Sequence, residues 1–273
     1  MNISVVILTY NEEINLKRCI ESIDWCDDVL VVDSYSEDRT VDLARSLGAR
    51  ILVREFDNFA NQRNFAHEHG ALKYDWVLHL DADEVATDAF NKELESLAPP
   101  QDIYAFRVPS KTILAGKWLR RAGMYPSYQV RLGRLDKLRF KQVGHGQRED
   151  LDPRRVGTFN EPYLHYNFSK GMKDWFAKHI RYARDEATEI VTRKNDPSVN
   201  GDSSGGRHKL KLLANKVPPI LRPMLRFIYV YFWRRGFLDG RAGLLYALMM
   251  SIYEGMIAVL LIERKINSGD RSS

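Results

Sequence analysis

The first half of the chain alternates short apolar runs with segments of helical spacing. Continuous apolar runs at Ile3–Leu8, Val29–Val32 and Trp76–Leu80 predict buried strands. Between them, segments such as Asn15–Ile23 place their apolar residues on one helical face. Apolar strands that alternate with helices are typical of a parallel sheet covered on both faces. We therefore predict an α/β domain over residues 1–168.

Each predicted strand runs into a polar loop. The loops are Thr9-Tyr10-Asn11-Glu12, a loop that begins at Asp33, and Asp81-Ala82-Asp83-Glu84. Right-handed crossovers bring the carboxyl ends of parallel strands to one edge of the sheet, where such folds bind ligands. A single Asp-x-Asp is more typical of a helix cap than of a metal site, and Glu84 is expected to start the next helix. Three carboxylate loops at one edge favour a site for a cation and phosphates.

The last third of the chain is predicted to be helical. Apolar residues share one face of an amphipathic helix over residues 169–194, which is expected to pack on the catalytic domain. A flexible linker is predicted at 195–206, and a helical, membrane-associating region at 207–273. Within it, 242–262 has the length of a membrane span but carries Glu254. Three alternatives stay open: in-plane or monotopic membrane association, a soluble appendage or dimer interface, and a true span.

Composition narrows the classes of function. The 273 residues carry a net charge of +5, with a pI of about 9.1. Basic residues are interspersed with acids and form no groove-reading motif, so we predict no nucleic-acid binding. The two cysteines, Cys19 and Cys26, make no disulfide framework, which fits a reducing cytoplasm. No signal peptide is expected, because Met1-Asn2 runs directly into the first apolar run.

The ordered motifs resemble the family 2 glycosyltransferases of the GT-A fold. The resemblance rests on Ser4–Glu12, on Asp33 with the loop after it, and on Asp81–Glu84. It is strongest to the lipopolysaccharide-core or lipooligosaccharide β-glucosyltransferase-like branch, and covers roughly residues 1–265. Further matching segments are Gln62-Arg63-Asn64, Tyr128–Leu132, the His145 loop and Arg235–Gly240. Many members have adjacent His-Glu where this chain has His145-Gly146-Gln147-Arg148-Glu149.

The resemblance implies roles for individual residues. Those expected to bind the nucleotide-sugar are Thr9, Tyr10, Asn11, Glu12, Asp33, Gln62, Arg63, Asn64, Asp81, Ala82 and Arg131. A divalent cation, Mg or Mn, is expected on Asp83, with Asp81 acting through ribose or water and with His145 or His165 completing the site. Glu149 is the first candidate for the base that takes the acceptor's proton, and Asp150 is the second. For His165 the residues alone favour a core histidine over a ligand. Glu149 is equally explained as an ion-pair partner of Arg148 or Arg154.

The expected function is that of an inverting, metal-dependent glycosyltransferase. The donor would be a nucleotide-sugar, most simply a UDP-sugar, and the acceptor a lipid-linked or surface-polysaccharide precursor. The protein would act as a peripheral or monotopic enzyme on the inner face of the cytoplasmic membrane, with lipid contact through 217–262 and homo-oligomers allowed. The alternatives are a sugar nucleotidyltransferase, which would want a glycine-rich phosphate loop after the first strand, and a non-catalytic membrane-recruited scaffold.

Overall fold

The computed structural model describes residues 2–143, 146–195 and 217–269. The chain divides into two compact units. The first unit comprises Met1–Trp118 and Tyr125–Ser169, and the second comprises Leu119–Met124 and Lys170–Ser273. Most of the predicted linker, from residue 196 to 206, lies outside the described residues, as does His145.

The predicted parallel strands form one half of a large sheet in the first unit. Its strands run in the order β3-β2-β1-β4, all parallel. Val5, Ile7 and Leu78 are fully buried in the core, as their continuous apolar runs predict. The elements are β1 (Ile3–Thr9), α1 (Leu16–Glu21), β2 (Val29–Asp33), α2 (Thr40–Ser46), β3 (Arg50–Val53), α3 (Phe59–His69) and β4 (Trp76–Asp81).

The other half makes the sheet mixed. The remaining elements of the first unit are β5 (Glu84–Val85), α4 (Asp88–Glu95), β6 (Ala105–Leu114), β7 (Lys117–Trp118), β8 (Ser127–Arg134), β9 (Phe140–Val143), β10 (Gly146–Glu149), β11 (Val156–Thr158) and β12 (Tyr163–His165). Antiparallel β8 lies between β4 and β6, and the path then continues through β12 to β5. β9 and β10 form a separate antiparallel hairpin that packs on α3.

Register places the predicted loops together. Thr9 pairs with Asp33, and Leu8 pairs with Asp81, so β1, β2 and β4 end at the same edge. This confirms the predicted α/β architecture and its shared edge. The expectation that Glu84 starts a helix is wrong: Glu84 is a fully buried residue of β5. The helix begins at Asp88, capped by the Thr87 hydroxyl, which accepts the Phe90 N–H at 3.1 Å.

The second unit is helical. It contains α5 (Gly171–Asn195), α6 (Arg222–Ile228) continuing into a π-helical turn at Tyr229–Trp233, and α7 (Gly240–Gly269). The buried face of α5 packs on α7, which groups the amphipathic helix with the C-terminal helices. The stretch Gly236–Asn267 is long and apolar enough to cross a membrane, and a third of its most apolar window is buried. The proposed domain boundaries at 168, 194 and 206 stay predictions.

Candidate functional site

The loops after β1 and β2 are held together by hydrogen bonds. Asn11 adopts a left-handed backbone conformation (φ 53°), which asparagine tolerates better than most residues. Its backbone N–H donates to Ser36 Oγ at 2.8 Å, and its side-chain oxygen accepts the Glu37 N–H at 2.8 Å. The Glu12 N–H donates to Thr40 Oγ1 at 2.7 Å. The predicted nucleotide loop therefore has a fixed shape before any ligand binds, with the Tyr10 side chain 55% exposed on it.

Asp33 is the centre of this arrangement. Its buried carboxylate accepts the Thr9 hydroxyl at 2.9 Å, the Ser36 N–H at 2.8 Å and the Ser36 hydroxyl at 2.5 Å. Three donors satisfy the carboxylate oxygens in a buried place where an unpaired polar group would be costly. In this structure Asp33 organises the two loops to which the resemblance assigns nucleotide binding.

Gln62, Arg63 and Asn64 on α3 reach three different partners. The Gln62 amide donates to Ser34 Oγ at 2.8 Å, in the loop after β2. Asn64 makes two hydrogen bonds with the Phe140 backbone, donating at 2.9 Å and accepting at 3.0 Å. Arg63, only 1% exposed, extends to Asp81. Gln62 thus supports the nucleotide loops, and Asn64 fixes the β9–β10 hairpin.

Asp81 lies between two buried arginines. Arg63 Nη2 is 2.7 Å from Asp81 Oδ1, and Arg131 Nη2 is 2.8 Å from Oδ2. Arg131 also pairs with Glu84, and its Nε donates to the Tyr163 hydroxyl at 3.4 Å. Two positive and two negative side chains therefore form one charge-balanced cluster, which we call the arginine–carboxylate cluster. Such pairing is what allows charges to be buried.

The cluster keeps Asp81 ionised. Burial alone would raise the pKa of Asp81, but Arg131 and Arg63 outweigh burial and hold that pKa well below its usual range. Burial would lower the pKa of Arg131, whereas Asp81 and Glu84 raise it well above its ordinary value. Arginines engage both oxygens of Asp81, and Ala82 beside it is buried. Asp81 serves here as the shared counterion of two arginines.

Asp83 faces a different partner, His165. Asp83 Oδ2 lies 3.5 Å from His165 Nε2, and the Asp83 carbonyl accepts the Tyr166 N–H at 2.8 Å. The antiparallel pairing of β5 with β12 sets this approach, because Glu84 is the register partner of His165. Burial would lower the pKa of His165, but the Asp83 carboxylate raises it to about 9. The predicted proximity of Asp83 and His165 is therefore present in the structure.

Asp83 and His165 fit a divalent cation in part. They offer one carboxylate and one imidazole side by side, and Mg or Mn sites in nucleotide enzymes complete their ligands with phosphate and water. Among the residues that the structure describes, no group of three His, Cys, Asp or Glu side chains is arranged to hold a metal. His145, the remaining candidate ligand, lies outside those residues.

Both candidate bases lie at the hairpin on α3. Glu149 ends β10 opposite Phe140, and Asp150 follows it. The Asp150 carboxylate accepts Lys141 Nζ at 2.8 Å, and the Asp150 N–H donates to the Arg139 carbonyl at 2.7 Å. These contacts tie Asp150 to the hairpin, and Glu149 is half-buried beside it.

Sequence reasoning missed Glu84 of the arginine–carboxylate cluster and also Tyr163, whose hydroxyl accepts a hydrogen bond from Arg131 of that cluster. Glu84 Oε2 accepts the Asp81 N–H at 3.0 Å, so it also shapes the turn through the Asp-x-Asp motif. Tyr163 is 1% exposed, and burial raises the pKa of its hydroxyl above the ordinary value. A signal was available for Glu84, because the apolar Val85-Ala86 after it suits a strand that would bury its neighbour.

This chain is similar to two proteins named as glycosyltransferases and to one solved mannosyltransferase. Lipopolysaccharide core biosynthesis glycosyltransferase LpsC of Rhizobium meliloti is 28% identical over 90% of this chain and 89% of its own. The "Uncharacterized glycosyltransferase" of Rickettsia bellii is 29% identical over 72% of this chain and 70% of its own. The solved mannosyltransferase PcManGT from Pyrobaculum calidifontis, in complex with GDP-Man and Mn2+, is 17% identical, with a TM-score of 0.48 over 96% of this chain and 87% of its own.

The family profile provides the direct assignment. The profile described as "Glycosyl transferase family 2" matches residues 4–147, which is more than half of the chain. That range includes all three loops at the sheet edge, α3 and Arg131. The chain is therefore a glycosyltransferase with the GT-A fold, and it belongs to glycosyl transferase family 2.

Proposed function

We propose that this enzyme transfers a sugar from a UDP-sugar to a lipid-linked or surface-polysaccharide precursor of the lipopolysaccharide type. The observation that supports the proposal best is the pairing of Asp83 with His165 beside the charge-balanced cluster around Asp81. These residues lie where β4 ends, at the sheet edge where ligands of such folds bind. The relation to LpsC favours a lipopolysaccharide-core precursor as the acceptor.

The nucleotide is assigned to the loops after β1 and β2. The rigid Asn11–Ser36 contact and the buried Asp33 keep these loops in one conformation, which lowers the entropic cost of binding. Gln62 supports the same loops through Ser34. In this proposal Thr9, Glu12 and Asp33 shape the pocket, and Tyr10 offers an exposed ring to the base.

The diphosphate end is assigned to Asp83 and His165. These two residues would hold Mg or Mn, which as a Lewis acid neutralises the charge that develops on the leaving diphosphate. Arg63 and Arg131 hold Asp81 in place, so the backbone turn that leads to Asp83 keeps one geometry. Glu84 reinforces that turn by accepting the Asp81 N–H.

Transfer with inversion at the anomeric carbon of the sugar occurs in one displacement. It needs a base that takes the proton of the acceptor hydroxyl. We assign this role to Glu149 ahead of Asp150. The carboxylate of Asp150 is already engaged within the hairpin, where it accepts Lys141 Nζ at 2.8 Å. The protein would carry out this step at the inner face of the cytoplasmic membrane, where lipid-linked acceptors are presented.

The test is a panel of UDP- and GDP-sugars assayed for donor hydrolysis with and without chelator. We expect turnover of a UDP-sugar that chelation abolishes and that added Mn restores. Asp83→Asn should lower that turnover at least about a hundredfold, the typical effect of removing a group that stabilises developing charge. Asp88→Asn, in the exposed first turn of α4, is the matched control and should retain full turnover. Chelator-resistant turnover by Asp83→Asn would overturn the proposal.

A further inference from the structure

The helical segment before α7 exposes an apolar stripe. Between Pro219 and Trp233, exposed apolar residues recur at spacings of one, three and four residues, which places them on one side of the helical run. Trp233 is 80% exposed and Ile220 is 73% exposed, values far from those of a packed helix. The main exposed side chains are Ile220, Met224, Leu225, Ile228, Phe232 and Trp233.

α7 exposes a second apolar stripe along its length. Its exposed apolar side chains recur at spacings of three, four and seven residues, from Leu244 to Ile266, over roughly 33 Å of helix. Val259 in its middle is 65% exposed. The stripe consists of Leu244, Leu248, Ile252, Val259, Ile262 and Ile266. A contiguous exposed apolar surface of this kind marks an interaction site.

The opposite sides of α7 are already packed within the second unit. Ile257 and Leu261 pack against Ala183 and Ala187 of α5. On the α6 side, the Ser251 hydroxyl donates to the Pro223 carbonyl at 2.8 Å. These contacts leave α7 with one open face, and that face is apolar.

Glu254, the charge that complicates a membrane role for this segment, is paired inside the unit. Arg222 of α6 lies 3.4 Å from it, and both side chains are largely buried. The carboxylate therefore does not belong to the open stripe. The exposed apolar surface of α6 and α7 can therefore contact lipid without exposing the Glu254 carboxylate to the hydrocarbon.

The charge around the stripes is positive. Residues 217–248 hold five arginines and a single carboxylate, Asp239. Asp239 is buried and accepts the backbone N–H groups of Arg121 at 2.9 Å and Ala122 at 2.8 Å. Because Arg222 is largely buried and paired with Glu254, the accessible charge of this segment is that of the other arginines, including the exposed Arg235 and Arg241. Such a surface complements anionic lipid headgroups.

We infer that α6 and α7 lie in the plane of an anionic membrane leaflet, with both stripes among the acyl chains and the arginines at the headgroups. The inference rests on the proposed action at a membrane and specifies how that membrane is bound. A spanning α7 would carry its neighbour α5 into the hydrocarbon, including the exposed Arg184 and Asp185. A second copy of the chain would bring two arginine-rich faces together, which repel.

The first test measures binding of the full-length protein to vesicles by cosedimentation. We expect binding to phosphatidylcholine vesicles containing phosphatidylglycerol and much weaker binding to phosphatidylcholine alone. Arg235→Gln and Arg241→Gln should each reduce binding about fivefold at low salt, an effect that high salt removes.

Phe232→Ser combined with Trp233→Ser should reduce binding at least about tenfold, since the protein loses the apolar contact of both large side chains with the membrane. The matched control is Ile14→Ser combined with Phe56→Ser, exposed apolar residues of the first unit, which should bind normally.

The second test separates an in-plane helix from a span. Nitroxide labels would be placed singly through Leu244→Cys, Ile252→Cys, Val259→Cys and Ile266→Cys in a Cys26→Ser background, with Cys19 buried. Relative accessibility to oxygen and to a nickel chelate in bound vesicles should report one common depth for all four labels. Depths that increase toward the middle of the helix would establish a span and overturn the inference.

Other outcomes are also decisive. Water exposure of all four labels on vesicles, or dimerisation by light scattering without vesicle binding, would overturn membrane docking. Donor hydrolysis is measured on the same preparations, which keeps the two proposals distinguishable. Vesicle binding without turnover would sustain the docking inference and contradict the proposed function, whereas turnover without vesicle binding would do the reverse.

Discussion

Two carboxylates that are two residues apart have different surroundings in this enzyme. Arginines engage both oxygens of Asp81, whereas Asp83 lies beside His165. The strand geometry explains the difference: Asp81 still belongs to β4 and faces α3 and β8, while Asp83 lies in the turn before β5. Substitution of either residue should therefore affect a different property.

Asp81→Asn should chiefly destabilise the fold. Arg63 and Arg131, both 1% exposed, then lose the carboxylate that they share, and Arg131 keeps its pair with Glu84. Removing one partner of a buried ion pair costs about 3 kcal/mol or more, because the remaining charge stays buried. Urea unfolding should show this loss as a lower midpoint. An unchanged midpoint would contradict the structural role of Asp81.

Asp83→Asn serves as the comparison in the same unfolding experiment. Its pair with His165 is partly solvent-accessible, so the change in the free energy of unfolding should stay below about 1 kcal/mol. Turnover, in contrast, should fall as proposed. Equal destabilisation by both substitutions would contradict the division of roles.

The sequence predicted the motif and the greater importance of Asp83 for a metal, but not the arginine partners of Asp81. Arg63 and Arg131 are 18 and 50 residues away from Asp81, and no local pattern indicates which distant arginine a carboxylate meets. The resemblance placed both arginines at the donor, whereas the structure shows them engaged with Asp81. Because Arg63 and Arg131 are distant from Asp81 in sequence, the arginine–carboxylate cluster could be identified only from the folded structure.

At the scale of elements, α3 connects the sheet edge with the hairpin that carries Glu149. Asn64 provides the connection through two hydrogen bonds to the Phe140 backbone. Asn64→Ala should lower the free energy of unfolding by about 2 kcal/mol, since it leaves a backbone N–H and a carbonyl without these partners. Transfer to acceptor should decrease more than donor hydrolysis does, because the hairpin holds the proposed base.

The matched control for this substitution is Asn61→Ala on the same helix. The Asn61 side chain donates to Asp57 in an exposed position, so its loss should cost little. Thermal unfolding and the ratio of transfer to hydrolysis are the two measurements. If Asn64→Ala and Asn61→Ala behave alike in both, the hairpin does not depend on Asn64.

α3 also meets β4 through two buried histidines. His67 Nε2 lies 2.8 Å from His79 Nε2, and Arg139 approaches His67 Nδ1 at 3.4 Å. Burial, then Arg139 and Arg63, lowers the pKa of His67 to about 4, and burial also lowers the pKa of His79. Both rings are therefore neutral in the folded protein at neutral pH.

Folding stability should consequently decrease between pH 6.5 and pH 4. In that interval a histidine of the unfolded chain takes up a proton, with its ordinary pKa of about 6.5, whereas folded His67 does not. The stability from the neutral ring is present above pH 6.5 and is lost as the pH falls, at up to about 1.4 kcal/mol per pH unit. His67→Gln should flatten this part of the profile, measured by urea unfolding at each pH. His69→Gln, exposed on the same helix, should leave the profile unchanged.

Elements were more predictable than their connections. The apolar runs of β1, β2 and β4 predicted a parallel core because each strand is buried on both faces. The antiparallel pairing of β8 with β4 joins residues that are 54 to 58 positions apart, and no local pattern in the sequence indicates it. The packing of α5 on α7 was not predictable for a similar reason. An amphipathic pattern indicates that a helix packs on something, but it does not identify the partner.

At the scale of the whole molecule, the two units are interleaved along the chain. Leu119–Met124 belongs to the second unit, although the first unit provides the residues on either side of it. Asp239 holds this segment by accepting two of its N–H groups, and Leu119 and Ala122 are fully buried. A cut after Ser169 therefore keeps every residue of the first unit but separates Leu119–Met124 from the rest of the second unit.

We expect a fragment of residues 1–169 to aggregate, because Leu119 and Ala122 lose the surroundings that bury them and stay in the fragment as exposed apolar surface. Leu119→Ser should raise the yield of monomeric fragment, measured by light scattering after size exclusion. In the full-length protein the same substitution should destabilise by about 2 kcal/mol, since it buries a hydroxyl in place of an apolar group.

Asp239→Ala in the full-length protein should lower the free energy of unfolding by a similar amount, because it removes the acceptor of two N–H groups. A soluble, monomeric wild-type fragment that Leu119→Ser does not improve would show that this segment is not held as the structure indicates. The opposite signs expected for Leu119→Ser in fragment and full chain cannot arise from a general effect of the substitution on solubility, so they report the interleaving itself.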